Sequence, residues 1–166
     1  CISLATTPEI LPATTLAEGC YSSMFYDCTS IATAPELPAT TLAESCYKYM
    51  FDGCTSLTTV PKILPATTLV SDCYNGMFDG CTSITTAPEL PAATLAKSCY
   101  FYMFNGCSNL NYIKCLAINK SASNCTNNWV SGVANTGTFI KHPNMFSWIT
   151  GTSGSPSGWE VVNAEL

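Results

Sequence analysis

The side chains best suited to chemistry in this chain are those of eleven cysteines and one histidine, His142. A cysteine activated by a histidine is a common nucleophile, but the pair needs a further group to orient it, and the sequence indicates none. Zinc sites are usually signalled by cysteines separated by only about two to four residues. Here the cysteines are spread through regular columns instead. We therefore expect no catalytic residue, no metal site, no cofactor and no enzymatic activity.

Ten of the eleven cysteines fall into two columns with a nearly constant period. The closing column holds Cys1, Cys28, Cys54, Cys81 and Cys107, and the opening column holds Cys20, Cys46, Cys73, Cys99 and Cys125. Eight residues separate the two columns, which is roughly 12 Å in a helix and beyond the ~7 Å Cα separation that a disulfide tolerates. We expect buried, reduced thiols that pack as small hydrophobic side chains. Disulfides within the closing column are the alternative, and Cys115 lies outside both columns.

These columns belong to a segment that is copied four times, Cys-Tyr-x-x-Met-Phe-x-x-Cys. Its closing cysteines are 26, 27 and 26 residues apart (54 − 28, 81 − 54, 107 − 81). A fixed period in the twenties is typical of repeat proteins, in which each unit buries its apolar face against its neighbours. Cys1 aligns with the closing cysteines, so we expect it to end a truncated earlier repeat.

Within one repeat, residues 31–34 are short and Thr-rich and end at Pro35, which predicts a brief strand. An extended crossing follows at 36–38. Thr41 and Glu44 then have the spacing of a capping box, which predicts a short helix. Apolar residues at four-residue spacing should turn one face of that helix toward the core. The predicted core residues of this repeat are Leu42, Cys46, Met50, Phe51, Cys54 and Leu57.

The composition argues against nucleic-acid binding and against a transmembrane segment. Only 10% of the residues are charged, the net charge is −5, and all six basic residues are lysines. Nucleic-acid binding depends on clustered cations, with arginine as the usual reader of phosphate and guanine, so we expect no nucleic-acid partner. No apolar run approaches the ~18–20 residues that span a bilayer, so we expect no transmembrane segment in this chain.

The order Cys-x-x-Leu-x-x-Ala/Val-Pro, followed by Met-Phe-x-x-Cys, resembles the BspA-like class of leucine-rich repeats found in surface proteins of Bacteroidetes. Phe25, Phe51, Phe78 and Phe104 match that family's phenylalanine, and Met24, Met50, Met77 and Met103 stand where the family has alanine. The resemblance implies an α/β solenoid. That fold is a leucine-rich-repeat right-handed superhelix with a narrow parallel sheet, short helices on the other side and an irregular C-terminal cap. It also implies a role in binding or adhesion rather than in catalysis.

The repeat pattern divides the chain into two parts. Residues 1–107 hold about four repeats of 26–27 residues, the first truncated at its start, and the pattern decays over residues 108–166. We predict a degenerate last repeat and a cap in the second part, with a closing strand at 158–162. All three tryptophans lie there, and they are expected to cover the last repeat. The alternative is a carbohydrate platform built from Trp148 or Trp159.

The outward positions of the predicted strands suggest a ligand-binding face. One column should contain Thr6, Thr33, Thr59, Thr86 and Tyr112, with Glu36, Lys62 and Glu89 along its edge. Leucine-rich-repeat proteins, which this chain resembles, commonly bind ligands on this open sheet face. The alternative is that threonine simply favours solvated strands.

The sequence therefore predicts a non-enzymatic extracellular module that presents its repeat surface to a host protein or glycan. We expect it at the cell surface or outside the cell, anchored through a preceding N-terminal part, with further repeats or a domain upstream. One alternative is a structural spacer that holds another domain off the surface. Another is a sugar hydrolase that acts through the tryptophan-containing cap.

Overall fold

The computed structural model describes residues 3–146 and 148–165. The prediction about Cys1 therefore lies outside the described residues. Three short strands form the only regular sheet of the described chain: β1 (Tyr112–Cys115), β2 (Thr138–Lys141) and β3 (Glu160–Asn163). They are parallel and ordered β1-β2-β3, with Tyr112 opposite Thr138 and Thr138 opposite Glu160.

The predicted α/β solenoid of the leucine-rich-repeat type is wrong. The described residues contain no helix, and the regular sheet is limited to three four-residue strands in the last third of the chain. The expected capping box at Thr41 and Glu44 starts no helix, because the backbone from 44 onward runs through successive turns. The strand predicted at 31–34 is reduced to an isolated bridge between Thr33 and Thr59, whereas its equivalent at 110–113 overlaps β1.

Each segment predicted to be helical is instead a series of tight turns, which we call a turn segment: 19–27, 45–53, 72–80, 98–106 and 124–132. Every fourth residue of a turn segment has a positive φ, which an α-helix does not allow. These residues are Gly19, Ser23 and Asp27; Ser45, Tyr49 and Gly53; Asp72, Gly76 and Gly80; Ser98, Tyr102 and Gly106; Asn124, Asn128 and Gly132. The four-residue spacing that predicts a helix is therefore the period of this repeated turn.

Backbone N–H groups in a turn segment alternate between two kinds of partner. The N–H of Lys48 donates to the carbonyl of Ser45 within the same turn segment (3.2 Å), whereas the N–H of Tyr47 donates to Cys73 in the next repeat (3.0 Å). The same alternation continues with Met50 donating to Tyr47 (3.2 Å). A helix would use every N–H internally, so this arrangement exchanges half of those bonds for a ladder between repeats.

The ladder stacks equivalent side chains directly on one another. Tyr47 and Tyr74 stack with ring centroids 5.6 Å apart, and Phe51 and Phe78 stack at the same separation of 5.6 Å. The predicted core residues Cys46, Met50, Phe51, Cys54 and Leu57 are fully buried, and Leu42 is partly buried against them. Burial of these columns, rather than intrinsic backbone preference, is the main stabilising contribution that the structure displays.

The last third of the chain is more regular than the predicted irregular cap. β3 overlaps the strand expected at 158–162, while β2 was not predicted at all. Trp129 is fully buried, stacks on Tyr100 (6.0 Å) and on Trp148 (5.5 Å), and donates its indole N–H to the carbonyl of Gly154 (2.8 Å). The aromatic column therefore continues into this region and ends in two tryptophans.

Candidate functional site

The eight residues predicted to bind a ligand lie along one side of the stack, in two surface grooves. Groove A, of about 350 Å³, is lined by Thr6, Thr33, Glu36 and Thr59 among others. Groove B, of about 430 Å³, is lined by Thr59, Lys62, Thr86, Glu89 and Tyr112, together with Lys114. The structure thus brings all eight residues together on one face, and the binding of a ligand there stays a prediction.

The two grooves are equivalent to each other in a longer repeat of 53 residues. Thr6 and Thr59, Thr33 and Thr86, and Thr59 and Tyr112 are each separated by 53 residues (59 − 6, 86 − 33, 112 − 59). Fifty-three residues is one 26-residue repeat plus one 27-residue repeat. The extra residue lies in the crossing that follows Pro8 and Pro61, so every second repeat differs from its neighbours.

This alternation determines which parts of neighbouring repeats are joined by backbone hydrogen bonds. On the groove side, Thr59 donates to the carbonyl of Ala32 (3.1 Å) and accepts from the N–H of Ala34 (2.9 Å). Among the described residues, no backbone-to-backbone hydrogen bond joins 4–7 to 31–34 or 57–60 to 84–87, although the hydroxyl of Thr7 donates to the carbonyl of Thr33 (2.9 Å). Between these repeats the backbone pairs at the extended crossings instead, where Ile10 bridges to Glu36 and Ile63 to Glu89. The grooves are therefore the two gaps in the backbone ladder of this face.

The grooves differ in charge. Glu36 and Glu9 both line groove A, whereas Lys62 takes the place of Glu9 in groove B. In groove B the ammonium of Lys114 lies 3.0 Å from a carboxylate oxygen of Glu89. The acidic groove A favours a cationic or hydroxyl-rich ligand group, and groove B presents both signs of charge.

A second polar feature, which the sequence reading missed, is a column of carboxylates on the turn segments. Asp52 and Asp79 occupy equivalent positions one repeat apart, and Asn105 follows in the same column. Burial, with the charges of Asp79 and Asp27, raises the pKa of Asp52 to about 6. Burial also raises the pKa of Asp79, against the lowering effect of the amide of Asn105, which donates to Asp79 Oδ1 (2.8 Å). The signal was present in the sequence as three polar residues at the repeat spacing.

The described cysteines, other than Cys20, are buried, and all of them are free thiols. The closing thiols of the inner repeats point at the preceding repeat: Cys54 Sγ lies 3.0 Å from the carbonyl of Phe25, and Cys81 Sγ lies 3.0 Å from that of Phe51. Burial raises the pKa of Cys54 to about 12 and that of Cys46 to about 11. Protonated thiols of this kind are poor nucleophiles and poor metal ligands.

The remaining candidates for chemistry lie apart from the grooves. His142 accepts a hydrogen bond at Nδ1 from the backbone N–H of Asn144 (3.0 Å). Trp148 and Trp159 are 8% and 7% exposed, so their ring faces are not available as a carbohydrate platform. Within residues 3–146 and 148–165, no three His, Cys, Asp or Glu side chains are grouped so as to hold a metal ion.

Comparison with known proteins adds no relative. No protein-family model, no curated protein and no solved structure matches this chain. In the part of the chain that the structure describes, there is no helix long and apolar enough to cross a membrane.

Proposed function

We propose that this chain is a non-enzymatic binding module whose ligand, a protein or a glycan, lies across grooves A and B. The observation that carries the proposal is the pair of gaps in the backbone ladder, at Thr6 to Thr33 and at Thr59 to Thr86. Backbone groups in these gaps, together with exposed threonine hydroxyls, offer both donors and acceptors to an extended polar ligand.

The spacing of the grooves defines the ligand further. Two repeats separate them, and neighbouring strands lie about 4.8 Å apart, so equivalent points are about 10 Å apart along the stack. A ligand that contacts both grooves therefore needs chemically similar polar groups at about that spacing, as an extended peptide or an oligosaccharide has. Engaging both grooves with one ligand raises its overall affinity above that for either groove alone.

Display outside the cell is part of the same proposal. Only 10% of the residues are charged, and threonines line both grooves beside a few carboxylates and lysines. The motif resemblance to BspA-like surface proteins supports this location, although the described residues contain none of the helices that the resemblance implies.

The test is a triple variant on the groove face, Thr33→Arg, Thr59→Arg and Thr86→Arg, passed with the unmodified chain over arrays of matrix proteins and host glycans. All three side chains are exposed, so the substitutions should leave the stack folded. A matched control carries Thr15→Arg, Thr41→Arg and Thr68→Arg, which add the same charge at exposed positions outside both grooves. We expect a ligand that binds the unmodified chain and the control but not the groove variant.

The competing proposal is a structural spacer, which is favoured by the unbroken ladder between turn segments. A spacer predicts that no arrayed ligand binds or that binding is equal in all three proteins. Equal binding by the groove variant and its control would show that the ligand binds elsewhere and that the grooves are not the binding site.

A further inference from the structure

Grooves A and B carry net charges of opposite sign. Of the described residues that line groove A, the charged ones are Glu9 and Glu36, so this groove carries two negative charges. Of those that line groove B, the charged ones are Lys62, Glu89 and Lys114, so this groove carries one net positive charge. The ligand face therefore changes from acidic to basic along the stack.

The charges open to a ligand are those of Glu9, Glu36 and Lys62. In groove B the ammonium of Lys114 lies 3.0 Å from a carboxylate oxygen of Glu89, so these two charges largely neutralise each other. Among the described residues, Glu9, Glu36 and Lys62 form no ion pair, and all three are exposed. A ligand can therefore reach carboxylates in groove A and the ammonium of Lys62 in groove B.

The repeat fixes the distance between these opposite charges. Glu9 and Lys62 occupy equivalent positions two repeats apart (62 − 9 = 53). The backbone around them is also equivalent, because the N–H of Glu36 donates to the carbonyl of Glu9 (2.9 Å) and that of Glu89 donates to Lys62 (2.8 Å). At about 4.8 Å per repeat, the two positions are about 10 Å apart along the stack.

This distance distinguishes between conformations of a bound polypeptide. In an extended β-strand, side chains on one face are two or four residues apart, roughly 7 Å or 13 Å, and neither distance fits. A polyproline II helix has three residues per turn and rises about 3.1 Å per residue, so side chains three residues apart lie on one face about 9.3 Å from each other. The backbone of such a segment makes no internal hydrogen bonds, which leaves it free to bond to the threonine hydroxyls of the grooves.

The other residues of groove B also suit such a segment. Val60, Pro61 and the half-buried Tyr112 line the groove beside its charges. Polyproline II segments commonly bind in grooves lined by aromatic side chains, because their backbone is already ordered before binding. An acidic glycan fits less well, since its charges are all negative and the carboxylates of groove A repel them.

We propose that the occupant of grooves A and B is a polypeptide segment in the polyproline II conformation. Its basic residue lies over Glu9 and Glu36, and an acidic residue three positions away lies beside Lys62. Both chain orders, basic-x-x-acidic and acidic-x-x-basic, meet this pattern. The inference rests on the proposed function, because it assigns the ligand of the same grooves.

The probes are synthetic proline-rich peptides that differ in the placement of their charges. The matched peptide is acetyl-Pro-Pro-Lys-Pro-Pro-Glu-Pro-Pro-amide, and a control of the same composition places lysine and glutamate next to each other. Binding to the isotope-labelled chain is titrated by NMR at the backbone amides of Thr59 and Thr86. We expect the matched peptide to bind about threefold to tenfold more tightly than the control, because each partly exposed ion pair contributes up to about a fivefold factor.

Reversing the charge of Lys62 tests the assignment of that residue. Lys62→Glu makes both grooves acidic, so it should weaken binding of the matched peptide and favour a peptide with lysine at both charged positions. Lys97→Glu is the control variant, because Lys97 is exposed and lines neither groove, while its reversal changes the net charge equally. Lys97→Glu should keep the preference of the unmodified chain.

Equal binding of the matched and adjacent-charge peptides, or no binding of either, overturns the inference, as does the same preference in Lys62→Glu and Lys97→Glu. These results leave the proposed function intact if the arrays yield a ligand that the variant with Thr33→Arg, Thr59→Arg and Thr86→Arg no longer binds. If that ligand is a glycan, the grooves are a carbohydrate site and the peptide assignment is wrong.

Discussion

The ring of Tyr49 lies directly over the backbone of Gly76 in the next repeat. A Cβ placed on Gly76 would fall onto Cδ1 and Cε1 of that ring. The two residues occupy the same position of the turn segment, and both have positive φ, 52° and 59°. The absence of a side chain in one repeat therefore makes room for the aromatic ring of its neighbour.

Gly76→Ala should destabilise the protein for two reasons. A left-handed conformation costs a residue with a Cβ roughly 1–2 kcal/mol, and displacing the ring of Tyr49 adds to that cost. Gly80→Ala is the matched control, because Gly80 also has positive φ (67°) but its Cβ would meet only ordinary contacts near 3.7 Å. Denaturant unfolding should rank Gly76→Ala as the less stable of the two variants.

The contribution of the ring is measured by a double-mutant cycle with Tyr49→Ala. In the absence of the ring, Gly76→Ala should cost only about as much as Gly80→Ala does. If the losses of unfolding free energy are additive in the double variant, the ring of Tyr49 moves aside at no cost and only backbone strain destabilises Gly76→Ala.

Removing a buried hydroxyl should stabilise the aromatic column. Tyr74 is 1% exposed and its hydroxyl has no hydrogen-bond partner among the described residues, although its ring stacks on Tyr47 (5.6 Å) and Tyr100 (6.1 Å). An unsatisfied buried polar group costs roughly 1–3 kcal/mol, and Tyr74→Phe keeps the ring while removing that group. Thermal unfolding should show a higher Tm for Tyr74→Phe, and little change for Tyr21→Phe, whose side chain is only half-buried. A lower Tm for Tyr74→Phe would show that the hydroxyl is hydrogen-bonded in solution.

Thiol reactivity should differ sharply between the first repeat and the second. Cys20 is exposed, whereas Cys46 is fully buried and its pKa is raised to about 11 by that burial. Native protein should therefore label quickly at Cys20 and only after denaturation at Cys46, as read by mass spectrometry. Rapid native labelling of Cys46 would contradict its burial, and failure to label after denaturation would indicate a disulfide.

The sequence was sufficient to predict which side chains share a column but not how the backbone connects them. Cys46 and Met50 are buried as the four-residue spacing implies. However, a helix and a repeated turn with a four-residue period both place such residues on one face. The signal that distinguishes the two is the residue type at every fourth position. Glycine, aspartate and asparagine, which favour positive φ, fill ten of the fifteen such positions, and serines and tyrosines fill the other five.

The grooves illustrate a second limit of sequence reading. The face that holds Thr33 and Thr86 was predicted from strand alternation, but its two gaps were not. They arise because one extra residue after Pro8 and Pro61 moves the hydrogen bonds from the strand positions to the crossings. The insertion is visible in the sequence, whereas its effect on pairing depends on the packing of the whole stack.

Acidification should stabilise the carboxylate column through Asp52. Its pKa is about 6 in the folded protein, above the 3.8 of an unperturbed side chain. The folded state therefore binds the proton more tightly than the unfolded state does. This contribution is fully present below about pH 4 and is lost as the pH rises through 6. Asp52→Asn, the residue found at Asn105 in the same column, should remove that part of the pH dependence and raise the Tm at pH 7. Glu44→Gln, which removes an exposed carboxylate elsewhere, is the control. Parallel Tm profiles for Asp52→Asn and the unmodified chain between pH 4 and pH 7 would show that Asp52 does not titrate in this range.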